Sequence, residues 1–181
     1  AVGAPDYNTA SQQGFVALNF GQQGPITNFT LSTATGFYNG NDSDFGSYVM
    51  SPGDFNGDGR SDLLMGGKVD LPLYLAFGHT GLSGKNDVNH DDFHGIKITA
   101  PGTGYDVASV SDLGDFNGDG FDDVAVAYNN GADVEAYVIY GSAAPKDIDL
   151  SDPNRLSAQD AFKVTFTLDD PGHDFVVGRA G

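Results

Sequence analysis

The sequence predicts an all-β chain built of tandem four-stranded units, and three observations predict it. The first is composition: 26 Gly among 181 residues, no Trp, and Val, Phe and Tyr gathered in short clusters, which reads as strands joined by tight turns. The second is repetition. Gly53-Asp54-Phe55-Asn56-Gly57-Asp58-Gly59 returns unchanged as Gly114-Asp115-Phe116-Asn117-Gly118-Asp119-Gly120, and internal repetition decides a fold before local propensity does. The third is the common order of short apolar and aromatic runs around each copy. Four short strands in roughly 60 residues is the pattern of a propeller blade, so three blades of a partial β-propeller are expected.

Ala1-Val2-Gly3-Ala4-Pro5 is expected as the first strand, followed by an aromatic strand over 14–21 that closes on Gly21. A weaker third strand falls near Phe29-Thr30-Leu31, and residues 45–50 run into the first Asp-rich loop. After that loop the order recurs: an apolar run over 63–67, an aromatic strand over 73–78, a polar connection, and a strand over 95–99. Residues 106–110 lead into the second loop, and 124–128, 136–141 and 162–167 repeat the series. Short apolar runs closed by Gly, Asn or a turn read as buried strands. Val177-Gly178-Arg179-Ala180-Gly181 aligns with residues 110–114. Cut at the loops, the units are 1–52 (with no loop of its own before it), 53–113 and 114–181.

Each loop reads Asp-x-Asn-x-Asp-Gly-x-x-Asp, which places oxygen ligands at positions 1, 3 and 5 and Gly at 6. A hard cation asks this of a short loop, because Ca²⁺ takes about six to eight oxygens. Gly59 and Gly120 permit the sharp turn by tolerating positive φ. The expected ligands are the side chains of Asp54, Asn56, Asp58 and Asp62 with the Arg60 carbonyl. The second site takes Asp115, Asn117, Asp119 and Asp123 with the Phe121 carbonyl. An oxygen-only set argues for Ca²⁺, two sites in all, over zinc or copper, which prefer His or Cys. An EF-hand is excluded because position 12 is Met65 or Val126 where a bidentate Glu is needed.

Net charge is −17, from 25 acidic and 8 basic residues. Such an excess argues against nucleic acid or an anionic membrane as partner; a saline habitat would be a second reason for it. Without Cys there are no disulfides and no zinc–thiolate sites. No apolar run is long enough to span a membrane, and the first residues lack the basic and apolar stretches of a signal peptide. His90-Asp91-Asp92-Phe93-His94 spaces two imidazoles for one face of a helix, but its surroundings read as a solvated loop. Asp147, Asp149 and Asp152 fall in the corresponding connection and are expected to be solvated too. No Gly-x-Ser-x-Gly elbow, Cys–His pair or phosphate-binding loop is present, so no catalytic residues are assigned and no enzyme is expected.

Phe45-Gly46 before the first loop, Gly3-Ala4-Pro5 after a loop position, and both Asp-x-Asn-x-Asp-Gly-x-x-Asp segments resemble the FG-GAP, or integrin α-chain-like, β-propeller repeat, in wording nearest its bacterial secreted members. Tyr105-Asp106 stands where Phe-Gly is expected in the second unit, and His173-Asp174-Phe175-Val176 departs further in the third. The resemblance implies Ca²⁺ held in hairpin loops, and an extracellular or cell-surface module for structure, adhesion or protein interaction. Propellers of this type close with about seven blades, so it also implies further blades, from a longer chain or from other copies. Two alternatives stay open: the propeller of a polysaccharide-active enzyme or lectin, with a protein or glycan ligand, and a self-assembling subunit of an extracellular ring or fibre.

Overall fold

The structure is a computed structural model that describes residues 1–8, 13–19, 34–40, 44–152 and 156–167. Strands β1 (Val2–Asn8), β2 (Gln13–Leu18) and β3 (Gly36–Asn39) pair antiparallel in chain order. A middle sheet follows from β4 (Tyr48–Met50), β5 (Leu63–Gly66), β6 (Leu73–Ala76) and β8 (Gly95–Thr99), again antiparallel neighbours. Between β6 and β8, β7 (Gly84–Asp87) leaves its own sheet and pairs parallel with β3, Gly36 facing Gly84. The third sheet holds β9 (Asp106–Gly114), β10 (Asp123–Asn129), β11 (Asp133–Ile139) and β13 (Ala161–Thr167). From the connection before β13, β12 (Ile148–Asp149) repeats the move of β7, pairing parallel with β8 at Ile148 and Ile98. The described residues are thus all-β, in three sheets of four or five strands, an arrangement consistent with a propeller-like fold. Among the described residues there is no helix, so none is long and apolar enough to cross a membrane.

Met50 pairs with Leu64, and Val110 with Val126, so the strand before each loop belongs to the same sheet as the strand after it. Each loop is the turn of an antiparallel hairpin. Two segments expected as polar connections carry short strands, β7 and β12. Each covers the outer edge of the preceding sheet, where backbone groups would otherwise lack partners. Asp149 accordingly lies in a strand, and Asp147 Oδ1 accepts the Lys97 N–H at 2.8 Å, so neither belongs to a purely solvated loop. The strand beside β2 is β3; the one expected near Phe29-Thr30-Leu31, and residues 173–181, lie outside the described residues.

The middle sheet is apolar on both faces, which is why Leu63-Leu64-Met65 is continuous rather than alternating. Leu64, Leu73 and Leu75 pack into one core with Val126 and Tyr137 of the third sheet. Met65 and Tyr74 pack into a second core with Val16 and Tyr38 of the first. Fully burying each such aliphatic side chain is worth about 1.5–3 kcal/mol. These two cores hold the three sheets in a stack and set the two Asp-rich loops side by side.

Candidate metal centres

The first loop joins β4 to β5 and the second joins β9 to β10, at equivalent places in neighbouring sheets. The sharp turn inside each is made as expected: Gly59 and Gly120 have φ of 84° and 95°. Positions 1, 3 and 5 gather at the tip. Asp54 Oδ1 and Asn56 Oδ1 both accept the Asp58 N–H, at 2.9 and 3.1 Å, while Asp54 Oδ2 accepts the Gly59 N–H at 2.8 Å. Asp58 Oδ1 accepts the Arg60 N–H at 2.9 Å, and the Arg60 guanidinium lies 3.8 Å from Asp58 Oδ2. The second copy reproduces this. Asp115 Oδ1 and Asn117 Oδ1 each accept the Asp119 N–H at 2.9 Å, Asp115 Oδ2 accepts the Gly120 N–H at 2.9 Å, and Asp119 Oδ1 accepts the Phe121 N–H at 3.0 Å.

Position 9 plays a different part. Asp62 and Asp123 are only 2% and 0% exposed, at the base of their loops. Asp62 Oδ2 accepts the N–H groups of Phe55 and Asn56 at 2.9 and 3.3 Å, and Oδ1 accepts that of Gly78 at 2.9 Å. Asp123 does the same with Phe116, Asn117 and Gly141, at 2.8, 3.3 and 2.9 Å. Each carboxylate thereby ties its loop to the end of the third strand of its sheet, β6 or β11. Burial pushes both carboxyls above their ordinary value; the three N–H donors pull the other way, and the charge of Asp58 or Asp119 adds to the rise.

Among the described residues no group of three or more His, Asp or Glu side chains is drawn together as a metal cage. The tip oxygens turn instead to N–H groups of their own loop, and the position-9 carboxylate faces the loop base. The donor chemistry still fits a hard cation. It is oxygen only, and the oxygens of positions 1 and 3 face one point in each copy, within 3.1 Å of a single N–H. Arg60 and Phe121 occupy the seventh position of this turn, where a backbone carbonyl would complete the set.

Asp122 joins the two loops, a role that the ligand pattern does not single out. Its Oδ2 accepts the Asp54 N–H at 2.7 Å and its own N–H donates to the Asp54 carbonyl at 3.2 Å, locking the second loop onto the first. Gly141 completes the lock. A Cβ there would stand 2.4 Å from the Asp122 carbonyl oxygen and 2.6 Å from that of Phe55, so only glycine lets the chains approach. The signal was the glycine closing each aromatic strand, legible as punctuation but not as a contact. His90 and Asp92 pair at 2.5 Å in an exposed turn, as expected of a solvated loop, and the His94 ring packs edge-on to His79 and Phe77.

Over 117 residues, 62% of the chain, the sequence is 32% identical to integrin alpha-4 of Xenopus laevis. The chain is similar to an integrin α chain. The matched stretch is 11% of that relative's length, so this chain spans about a tenth of it. No family model matches, and no solved structure does. The similarity supports an integrin α-like repeat and gives no support to a bacterial type.

Proposed function

We propose that the chain is a non-enzymatic, extracellular calcium-binding β-propeller segment, its three sheets acting as blades of a structural, adhesion or protein-interaction module. The observation that carries this reading is one loop built twice, with the same oxygens converging on the same N–H at equivalent places in neighbouring sheets. The similarity to an integrin α chain supports the module and its extracellular setting. Asp54, Asn56 and Asp58 would hold the first ion, with Asp62 and the Arg60 carbonyl completing the set. Asp115, Asn117, Asp119, Asp123 and the Phe121 carbonyl would hold the second. When bound, Ca²⁺ supplies positive charge among three clustered carboxylates per loop. The chain's own part is to fix the base of each loop through the backbone N–H bonds that Asp62 and Asp123 accept; the tip oxygens and the position-9 carboxylates, bonded to N–H groups of the loop, would turn to the ion as it binds. An affinity on the order of 10⁻⁴–10⁻³ M, as in other extracellular modules, is expected. Calcium titration by calorimetry tests this. Two sites are expected in the native chain and one in each of Asp58→Ala and Asp119→Ala; absence of binding leaves the loops as hydrogen-bonded turns.

A further inference from the structure

We propose that His79 and His94 form a two-imidazole anchor for one divalent transition-metal ion of the zinc, nickel or copper class. The donors are nitrogens of residues outside both Asp-rich loops, so the site stands apart from the calcium reading. Three of the chain's four histidines, His79, His90 and His94, line one cleft of about 610 Å³ beside β7. Asp87, Asp92 and Lys85 are its other charged residues, a balance that favours a cation in a chain of net charge −17. Sheet pairing brings the two anchor residues together. Beyond the last register pair of β6 and β8, Ala76 with Gly95, the Phe77 N–H donates to the His94 carbonyl at 2.8 Å. That bond lays His94 alongside the exit of β6, where His79 follows two residues later. The two rings meet there with centroids 5.0 Å apart and planes at 65°, and Phe77 packs edge-on against His94 at 5.7 Å.

Spacing and ring orientation both point to a metal. Zinc–imidazole bonds of about 2.0–2.1 Å at a tetrahedral angle put the centroids of two rings about 5 Å apart, the separation of this pair. His79 Nδ1 lies 3.2 Å from the Thr80 carbonyl oxygen, and His94 Nδ1 lies 3.4 Å from that of Phe77. A carbonyl only accepts, so each Nδ1 carries the proton and each Nε2 keeps its lone pair. Among the described residues neither Nε2 has a hydrogen-bond partner. A backbone carbonyl on one ring nitrogen is the contact that orients a metal-ligating histidine and fixes its tautomer. His90 is held differently, with its Nδ1 2.5 Å from Asp92 Oδ1 in an exposed turn. No third side chain is drawn in among the described residues, so two nitrogens anchor the ion and water takes the remaining positions. Imidazole suits zinc, nickel and copper, whereas calcium and magnesium prefer oxygen.

Calorimetric titration of the full, untagged chain with Zn²⁺, and separately with Ni²⁺, tests this in buffer holding excess Ca²⁺. One site is expected for each metal. It should be lost in His79→Ala and in His94→Ala, and kept in His90→Ala and in the Asp58→Ala/Asp119→Ala double variant. Long-range ¹H–¹⁵N spectra of the imidazoles give a readout that needs no change at the site. They should show the Nδ1–H tautomer for His79 and His94 in the metal-free chain, and added Zn²⁺ should move the Nε2 signals of those two rings. No binding of either metal overturns the proposal, as does equal binding by the native chain and both anchor variants. So does loss of the site in the Asp58→Ala/Asp119→Ala variant, which would put the ion on the Asp-rich loops, or movement of the His90 or His173 signals in place of the anchor pair. Calcium titration of the same proteins keeps the two readings apart: zinc binding without calcium binding upholds the imidazole anchor while removing the calcium reading.

Discussion

Phe55→Ala and Phe116→Ala are the same substitution in the same heptapeptide, and the structure gives them unequal consequences. Phe55 is 0% exposed, in a core with Leu75 and Ile96 of its own sheet and Ile139 of the next. Truncating a phenylalanine so placed removes its transfer free energy and leaves a cavity, at a cost of about 3–5 kcal/mol. Phe116 is 57% exposed and, among the described residues, its ring packs on that of Phe162. With less than half its surface buried, the loss is about 1 kcal/mol. In a chain of this size each kcal/mol moves Tm by about 2–4 °C. Phe55→Ala should therefore lower Tm by about 6–20 °C and Phe116→Ala by about 2–4 °C. Urea and thermal unfolding followed by far-UV circular dichroism compare the two at matched calcium concentration. Losses equal within about 1 kcal/mol would refute the stacking of the third sheet over the first loop.

Three further outcomes follow from single groups. Asp62→Ala strands three N–H groups at the loop base, each worth about 1–3 kcal/mol when left unpaired in the interior. It should destabilise the calcium-free protein more than Asp54→Ala at the exposed tip, and a urea midpoint shift no larger than that of Asp54→Ala would count against the role given to position 9. Gly141→Ala drives a methyl toward the Asp122 and Phe55 carbonyls; a loss of about 1–3 kcal/mol is expected from overpacking, and an unchanged Tm would show that the two loops do not approach as described. Glu135 accepts bonds from Lys163 Nζ at 2.6 Å and Tyr137 OH at 2.7 Å. Burial alone would raise its pKa, but the hydrogen bonds and the Lys163 charge prevail and hold it below 4.5. The stability it contributes is then present above pH 4.5 and lost as pH falls through the lower folded value. Because Lys163 is partly exposed, the contribution is about 1 kcal/mol, and Glu135→Gln should flatten the stability–pH curve in that window; an unaltered curve would contradict the pairing.

The loops and the strands after them were legible because their signals are local. Asp, Asn and Gly spacing fixes the turn, and a short apolar run closed by Gly fixes the buried strand. Strands β7 and β12 were not legible, since Gly84-Lys85-Asn86-Asp87 has no apolar face and is a strand only because β3 offers an open edge. Repetition marks a period but not the point where sheets part; hairpin pairing across each loop joins the strands on its two sides in one sheet. At the candidate site, the ligand pattern placed Asp62 and Asp123 with the tip residues. Their burial and their bonds to Gly78 and Gly141 depend on strands that lie 16 and 18 residues away in sequence.

The central claim is that each loop holds one calcium ion on named oxygens, and anomalous scattering from crystals grown in calcium tests it most directly. Two peaks are expected, one about 2.3–2.6 Å from the oxygens of Asp54, Asn56 and Asp58 and one equally close to those of Asp115, Asn117 and Asp119. Well-ordered loops without a peak in either would contradict it.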